Sequence, residues 1–242
     1  MVKTGIGADE LKKLKLWQLA ASEIIGTLFV VLFTSLIVNR HDGKSVIMTI
    51  SLVSGLVYSI VLFTFGNHGY FNPAITISLF CTQRMPLVRM GVFVLCQLFG
   101  AILAQILASY VLLNSWYSSS GPGATMPHKD VNLFQLFSVE FVGSAFLSAI
   151  ISTKCSALVI GLTISTITAT LFPFEMGCFN PAKGLASNIV SRKITSYCWV
   201  YWIAPICGAV SARVVMAAVD KMRIDPYEIE NARCRVLDEN SD

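Results

Sequence analysis

Charge is scarce in this chain. Asp, Glu, Lys and Arg make up 13% of its 242 residues, against roughly 25% in an ordinary soluble domain. So few charged side chains cannot build the water-facing surface of a soluble globule, and that class is excluded. Histidine occurs three times, with no His/Cys cluster at metal-ligand spacing and no Ser–His–Asp set. The chain carries no equipment for metal-assisted or nucleophilic chemistry; it does not read as an enzyme, and no cofactor is implied. The seven cysteines (81, 96, 155, 178, 198, 207 and 234) are odd in number and show no paired spacing, which excludes a disulfide framework or a zinc pattern. Most read as small apolar packing residues. No N-x-S/T sequon occurs. Basic residues outnumber acidic ones by 18 to 14, but they are scattered at the ends of apolar runs rather than gathered in a stripe. Nucleic acid is therefore not an expected partner.

Apolar sequence is what the chain has in abundance: 55% of residues are hydrophobic and the mean hydropathy is +0.67. The run WQLAASEIIGTLFVVLFTSLIV, residues 17–38, contains one ionisable group, Glu23. Comparable runs cover about 45–66, 87–113, 133–153, 155–174 and 196–219. Each is near the ~20 residues a helix needs to cross ~30 Å of hydrocarbon. The pattern predicts an all-α protein of six transmembrane helices in a lipid bilayer. The first run is too long for a cleaved signal peptide and has no small-residue cleavage site behind it. With the N-terminus inside, only Arg40, Lys44, Lys129, Lys183, Arg192 and Lys193 of the 18 basic residues fall outside. That asymmetry predicts cytoplasmic N- and C-termini. The expected organisation is an N-terminal segment at 1–16, a membrane domain at 17–219 and a cytoplasmic tail at 220–242, with a short surface helix within 1–15.

The two halves repeat. SEIIGT at 22–27 matches VEFVGS at 139–144, aligning Glu23 with Glu140. LVSGL at 52–56 matches LVIGL at 158–162, GYFNPA at 69–74 matches GCFNPA at 177–182, and QLFGA at 97–101 matches PICGA at 205–209. The order is kept and only loop lengths vary, which predicts a duplication of about 110 residues spanning about 17–116 and 131–219. A Gly/Ser/Pro-rich loop at 117–130 bridges the copies. Each copy holds three spans, so the second must insert upside down relative to the first. Such inverted repeats meet near the midplane, where broken helices form the transport site.

NPAITISLF at 72–80 and NPAKGLASNIV at 180–190 are apolar but too short to cross. Both read as half-helices with Asn72 or Asn180 as N-cap, Pro73 or Pro181 in the first turn, and Ala74 or Ala182 after it. The residues leading in, Gly69, Tyr70 and Phe71 in one copy and Gly177, Cys178 and Phe179 in the other, would turn carbonyl oxygens toward a cavity. Glycine in both leads suits a tight or left-handed backbone. Two helix starts facing each other bring about half a positive charge each to the midplane. Waters passing there would be oriented oxygen-first toward the centre, which breaks a proton wire and repels cations. The architecture favours small neutral molecules.

On these residues the chain from about 17 to 219 resembles the aquaporins, or major intrinsic proteins. The resemblance rests on six spans, paired Asn-Pro-Ala boxes in the expected segments and the early Glu of spans one and four. Gln97 in span three and the run WVYWIAPICGA at 199–209 add to it. It implies six transmembrane helices plus two half-helices in an inverted repeat forming a right-handed bundle. It also implies a homotetramer with one pore per subunit, passive bidirectional flow of water and a plasma-membrane location. In the family the two glutamates brace the Asn-Pro-Ala loops by accepting backbone N–H bonds, a role carried here by Glu23 and Glu140.

The selectivity constriction carried over from the family departs from its usual residues. Lys183 stands where the family has Arg, keeping the charge but losing the rigid donor fork; a snorkelling lysine at the outer surface is the alternative. Thr168 stands where water-selective members have His, and Gly177 where Cys or an aromatic is common. The span-two position falls on Ser54 if Gly55 is the matched glycine, or on Leu52 if the shorter stretch before the first box shifts it. These small side chains would admit glycerol or urea, unless Tyr70, Phe174 or Phe179 fills the space. The glycerol-conducting branch usually has Asp after the Arg, and here that place is Gly184. His68, before the first box, is either a pH-sensing gate or a plain loop residue.

A passive water channel excluding ions and protons is the leading expectation. A channel also passing glycerol, urea or other small neutral solutes is the nearest alternative. From other classes come a non-conducting junctional protein with an occluded pore and a secondary transporter, which would need coupling charges beyond Glu23 and Glu140.

Overall fold

The computed structural model describes residues 6–38, 46–66, 69–112, 127–174 and 178–222. Among them lie eight α-helices: α1 Leu14–Val38, α2 Val46–Thr64, α3 Pro73–Cys81, α4 Leu87–Val111, α5 Leu133–Ser152, α6 Ala157–Leu171, α7 Pro181–Val190 and α8 Val200–Met222. Helix is the answer hydrocarbon demands, because it satisfies every backbone N–H and C=O within its own segment. Where the chain turns, the caps are local. Asn132 and Gln135 form a reciprocal capping box at the start of α5, and the Ser156 side chain accepts from Val159 N at the start of α6. The surface helix expected within 1–15 is a single 3-10 turn, Ala8–Lys12. It is held to α4 by a two-bond ion pair from Arg89 to Glu10 at 2.6 and 2.9 Å.

α1, α2, α4, α5 and α8 are long and apolar enough to cross a bilayer. α6 is shorter than the 155–174 run predicts, with 15 residues. The sequence ahead of it turns at Lys154, which is left-handed at φ 56°. Behind it Pro173 has no N–H to continue the ladder. Large apolar side chains are exposed around the outside of the bundle, Phe63, Leu95, Tyr110 and Phe134 among them, as expected of a surface that meets lipid rather than water. The chain is thus a multi-pass membrane protein by composition and by shape.

The repeat governs the packing. α1 packs on α4 and, in the second copy, α5 packs on α8, while α2 and α6 join the copies to each other. Each half-helix rests on the last helix of the other copy, α3 on α8 and α7 on α4. Glycine permits the central approach: a Cβ on Gly55 would lie 2.2 Å from the Gly161 carbonyl oxygen, and one on Gly161 would lie 2.3 Å from that of Gly55.

Candidate functional site

The two half-helices begin in the same way. Asn72 and Asn180 are extended, as residues before proline must be, and each side-chain Oδ1 accepts from the backbone N–H two residues on. The distances are 2.9 Å to Ala74 N and 3.0 Å to Ala182 N. Pro73 and Pro181 occupy the first helical turn. The Nδ2 groups then reach across the repeat: Asn72 donates to the Phe179 carbonyl and Asn180 to the Phe71 carbonyl, both at 2.8 Å. These reciprocal bonds bring the starts of α3 and α7 together in the middle of the bundle. Each amide keeps a second N–H, and both side chains line the cavity described below.

The leads into the half-helices carry a correction. Left-handed backbone falls on Phe71 (φ 53°) and Phe179 (φ 46°), not on Gly69. For a non-glycine residue that conformation costs about 1–3 kcal/mol and must be held by its surroundings. Here the rings hold it. Phe71 is wholly buried and lies over Gly69 and Gly26, where an added Cβ would come within 2.1 Å of the ring. Phe179 lies over Gly143 in the same manner, at 2.4 Å. Gly69 is therefore required for close approach rather than for its own dihedral freedom. The turned backbone aims the Phe71 and Phe179 carbonyls at the opposite asparagine. The Tyr70 carbonyl accepts from the Tyr58 hydroxyl, so none of these three oxygens is unengaged.

Behind each lead sits a carboxylate with no exposed surface. Glu23 accepts from Tyr70 N, Phe71 N and Gln97 Nε2, each at 2.8 Å. Gln97 Nε2 also donates to Thr76 Oγ1 on α3. Glu140 accepts from Phe179 N at 3.0 and 3.3 Å. Both carboxylates thus lie behind the loops, bonded to their backbone.

In front of the loops is a narrow chamber of about 50 Å³. Its walls include Ser54, Tyr58, Thr168, Cys178, Phe179 and Lys183 together with the two asparagines. Ser54, Thr168 and Lys183 are thereby brought to one space from three helices, α2, α6 and α7. Leu52 is half exposed, at 50%, and does not line the chamber. Lys183 is half-buried against this lumen rather than extended away from it. Gly177 and His68 lie outside the described residues, as do 113–126 and the tail from 223. Of the three aromatics considered as fillers, Phe179 reaches the chamber, Phe174 is 42% exposed, and Tyr70 belongs to a second, wider cavity of about 420 Å³. That cavity lies on the side of the bundle bearing the N-terminal turn, since Arg84 in its wall stands just before α4, whose Arg89 holds that turn.

Tyr58 walls both cavities, a role that sequence reasoning missed. A signal was present: Tyr58 lies one helical turn beyond Ser54, on the same face of α2. Gly184 also gains a steric reason, since a Cβ there would stand 2.9 Å from Tyr201 Cβ and 3.1 Å from Cys178 Sγ.

A family model described as "Major intrinsic protein" matches residues 10–216. Nodulin-26 of Glycine max is 29% identical over 218 residues, covering 84% of this chain and 78% of that protein. A PIP-type aquaporin of Atriplex canescens is 24% identical over 227 residues, covering 84% and 80%. In three dimensions the chain is similar to the aquaglyceroporin of Plasmodium falciparum, with a TM-score of 0.72 and 20% identity over 82% of this chain and 94% of that one. That likeness supports the helical bundle.

Proposed function

This chain belongs to the major intrinsic protein family, a family of channels rather than enzymes, and we propose that it conducts water passively along osmotic gradients while excluding ions and protons. The observation that carries this reading is the chamber of about 50 Å³ facing two opposed half-helix starts. At about 10–15 Å³ per ordered water by this measure, it holds a short single file. Asn72 and Asn180 offer donors to that file while the paired helix dipoles orient it. Oxygen atoms turned toward the centre from both sides interrupt proton hopping, and the positive field there opposes cations.

In this reading Ser54, Thr168 and Lys183 form the constriction, with Gly177 completing it, and Glu23 and Glu140 brace the loops. Lys183 supplies positive charge, but a lysine ammonium directs its hydrogen bonds less than the rigid guanidinium fork does. In the same reading the protein is a homotetramer in the plasma membrane, as its family membership implies, with both termini in the cytoplasm, which the basic-residue asymmetry supports.

A second reading, a channel also passing glycerol or other small neutral solutes, is favoured by the small side chains of Ser54 and Thr168. Against it stands Gly184, where the packing of Tyr201 and Cys178 leaves no room for a side chain. Stopped-flow light scattering on proteoliposomes separates the two. Sucrose shrinkage faster than in empty vesicles is expected; no acceleration, with insertion verified, would sink the channel reading. Shrinkage in glycerol followed by rapid reswelling would select the second reading.

A further inference from the structure

Arg213, toward the end of α8, is 3% exposed. Its Nε donates to Ser78 Oγ at 3.1 Å, while Nη2 is buried with no partner among the described residues. A guanidinium has five N–H groups, and among the described residues it makes this one side-chain bond. A buried charge left so poorly partnered is costly unless a counter-charge completes it.

Arg213 lines the wider cavity of about 420 Å³, and two more cations line it with it: Arg84, from the turn after α3, and Lys154, from the turn after α5. Three separate segments thus converge on one space with the same sign of charge. No carboxylate is among its described lining residues to balance these three like charges. Nor does the fold demand a cation at this place. The residue equivalent to Arg213 in the first copy is Gln105, a neutral amide of similar reach, wholly buried and bonded to Ser35 Oγ at 2.8 Å.

The geometry points to a phosphate-class oxyanion site in this cavity, held by Arg213, Arg84 and Lys154. A planar guanidinium fork matches the paired oxygens of such an anion, and the space far exceeds what a bare halide would fill. Gly69 and Tyr70, which lead to the first Asn-Pro-Ala turn, form part of the same wall. An occupant therefore lies across the inner approach to the narrow chamber and slows flow through it. The binding stands independently of the conduction reading; only the effect on flow rests on it. The anion is either free phosphate or the phosphate of a lipid headgroup.

The test uses the full chain. Inorganic phosphate is titrated calorimetrically into detergent-solubilised protein, against chloride at equal ionic strength. In parallel, binding is measured to vesicles of phosphatidylcholine alone or doped with a phosphatidylinositol phosphate. Saturable binding is expected in at least one arm, and the arm identifies the source. Arg213→Gln should weaken it about tenfold or more, as loss of a charge-assisted contact implies. Arg84→Ala and Lys154→Ala, both at exposed turn positions, should weaken it as well and keep the test valid if Arg213→Gln fails to fold. Phosphate-dependent slowing of water flow, normalised to each variant's own rate in phosphate-free buffer, should fall in the same order. Binding in neither arm above its control, or binding indifferent to all three substitutions, would overturn the site. Binding without any water conduction by the protein would leave the site standing and remove the channel reading instead.

Discussion

Replacing Gly55 by alanine tests the central crossing and the width of the pore together. The new Cβ would stand 2.1 Å from Ser165 Oγ and 2.2 Å from the Gly161 carbonyl oxygen. The serine can rotate away; the carbonyl belongs to α6 and cannot. Its distance falls roughly 1 Å short of the 3.3–3.6 Å at which a C–H group meets a carbonyl oxygen, so α2 and α6 must part by that amount. Overpacking of this kind costs about 1–3 kcal/mol, which a thermal melt in detergent registers as a clear drop in midpoint. The functional consequence follows from which residues ride on the two helices. Ser54 and Tyr58 sit on α2 and Thr168 on α6, all on the chamber wall, so parting them widens the lumen. In stopped flow, glycerol permeability relative to water should rise in Gly55→Ala. An unchanged melting midpoint together with an unchanged glycerol-to-water ratio would refute the crossing as the element that sets the width.

Other substitutions probe the loops. Asn180→Asp removes the donor to the Phe71 carbonyl and sets one oxygen against another; a loss of about 1–3 kcal/mol is expected, with faster proton leak reported by a pH-sensitive dye inside vesicles, and intact proton exclusion would count against the electrostatic account. Glu23→Gln turns an acceptor of three bonds into a group that accepts at one end only, so thermal stability should drop by about 1–3 kcal/mol. A neutral result in the melt would mean that Glu23 does not hold the loop. Cys178 is 5% exposed and lines the chamber, so mercurials should slow water flow in the parent chain and leave Cys178→Ser conducting. Persistent block in that variant would transfer the effect to another thiol.

Much of this was legible in the sequence because the repeat doubled every signal. The Asn-Pro turns announced both half-helices, with each cap at the expected residue, and the paired glutamates pointed to the loops. Gly55 and Gly161 were visible as matched glycines, though not as two backbones in contact. The left-handed phenylalanines were not legible, since the strain at Phe71 and Phe179 is held by ring contacts with Gly26 and Gly143, which are far away in sequence. Apolar composition continues past Leu171 and so overstates the length of span five, while the missing N–H of Pro173 ends the helix. In the sequence Arg213 is one more basic residue of the cytoplasmic side, and only packing reveals that it is buried inside the bundle.

The crossed asparagine bonds have a consequence for how the protein is made. Asn72 is held by a carbonyl that follows it by 107 residues, and Asn180 by one that precedes it by 109. Neither latch can close while only the first copy has been synthesised and inserted. A chain that holds only its first copy therefore has half-helix α3 without the opposed start of α7. The chamber that both asparagines line is complete only once the second copy has docked, so its closure belongs to the joining of the two halves and not to either half by itself.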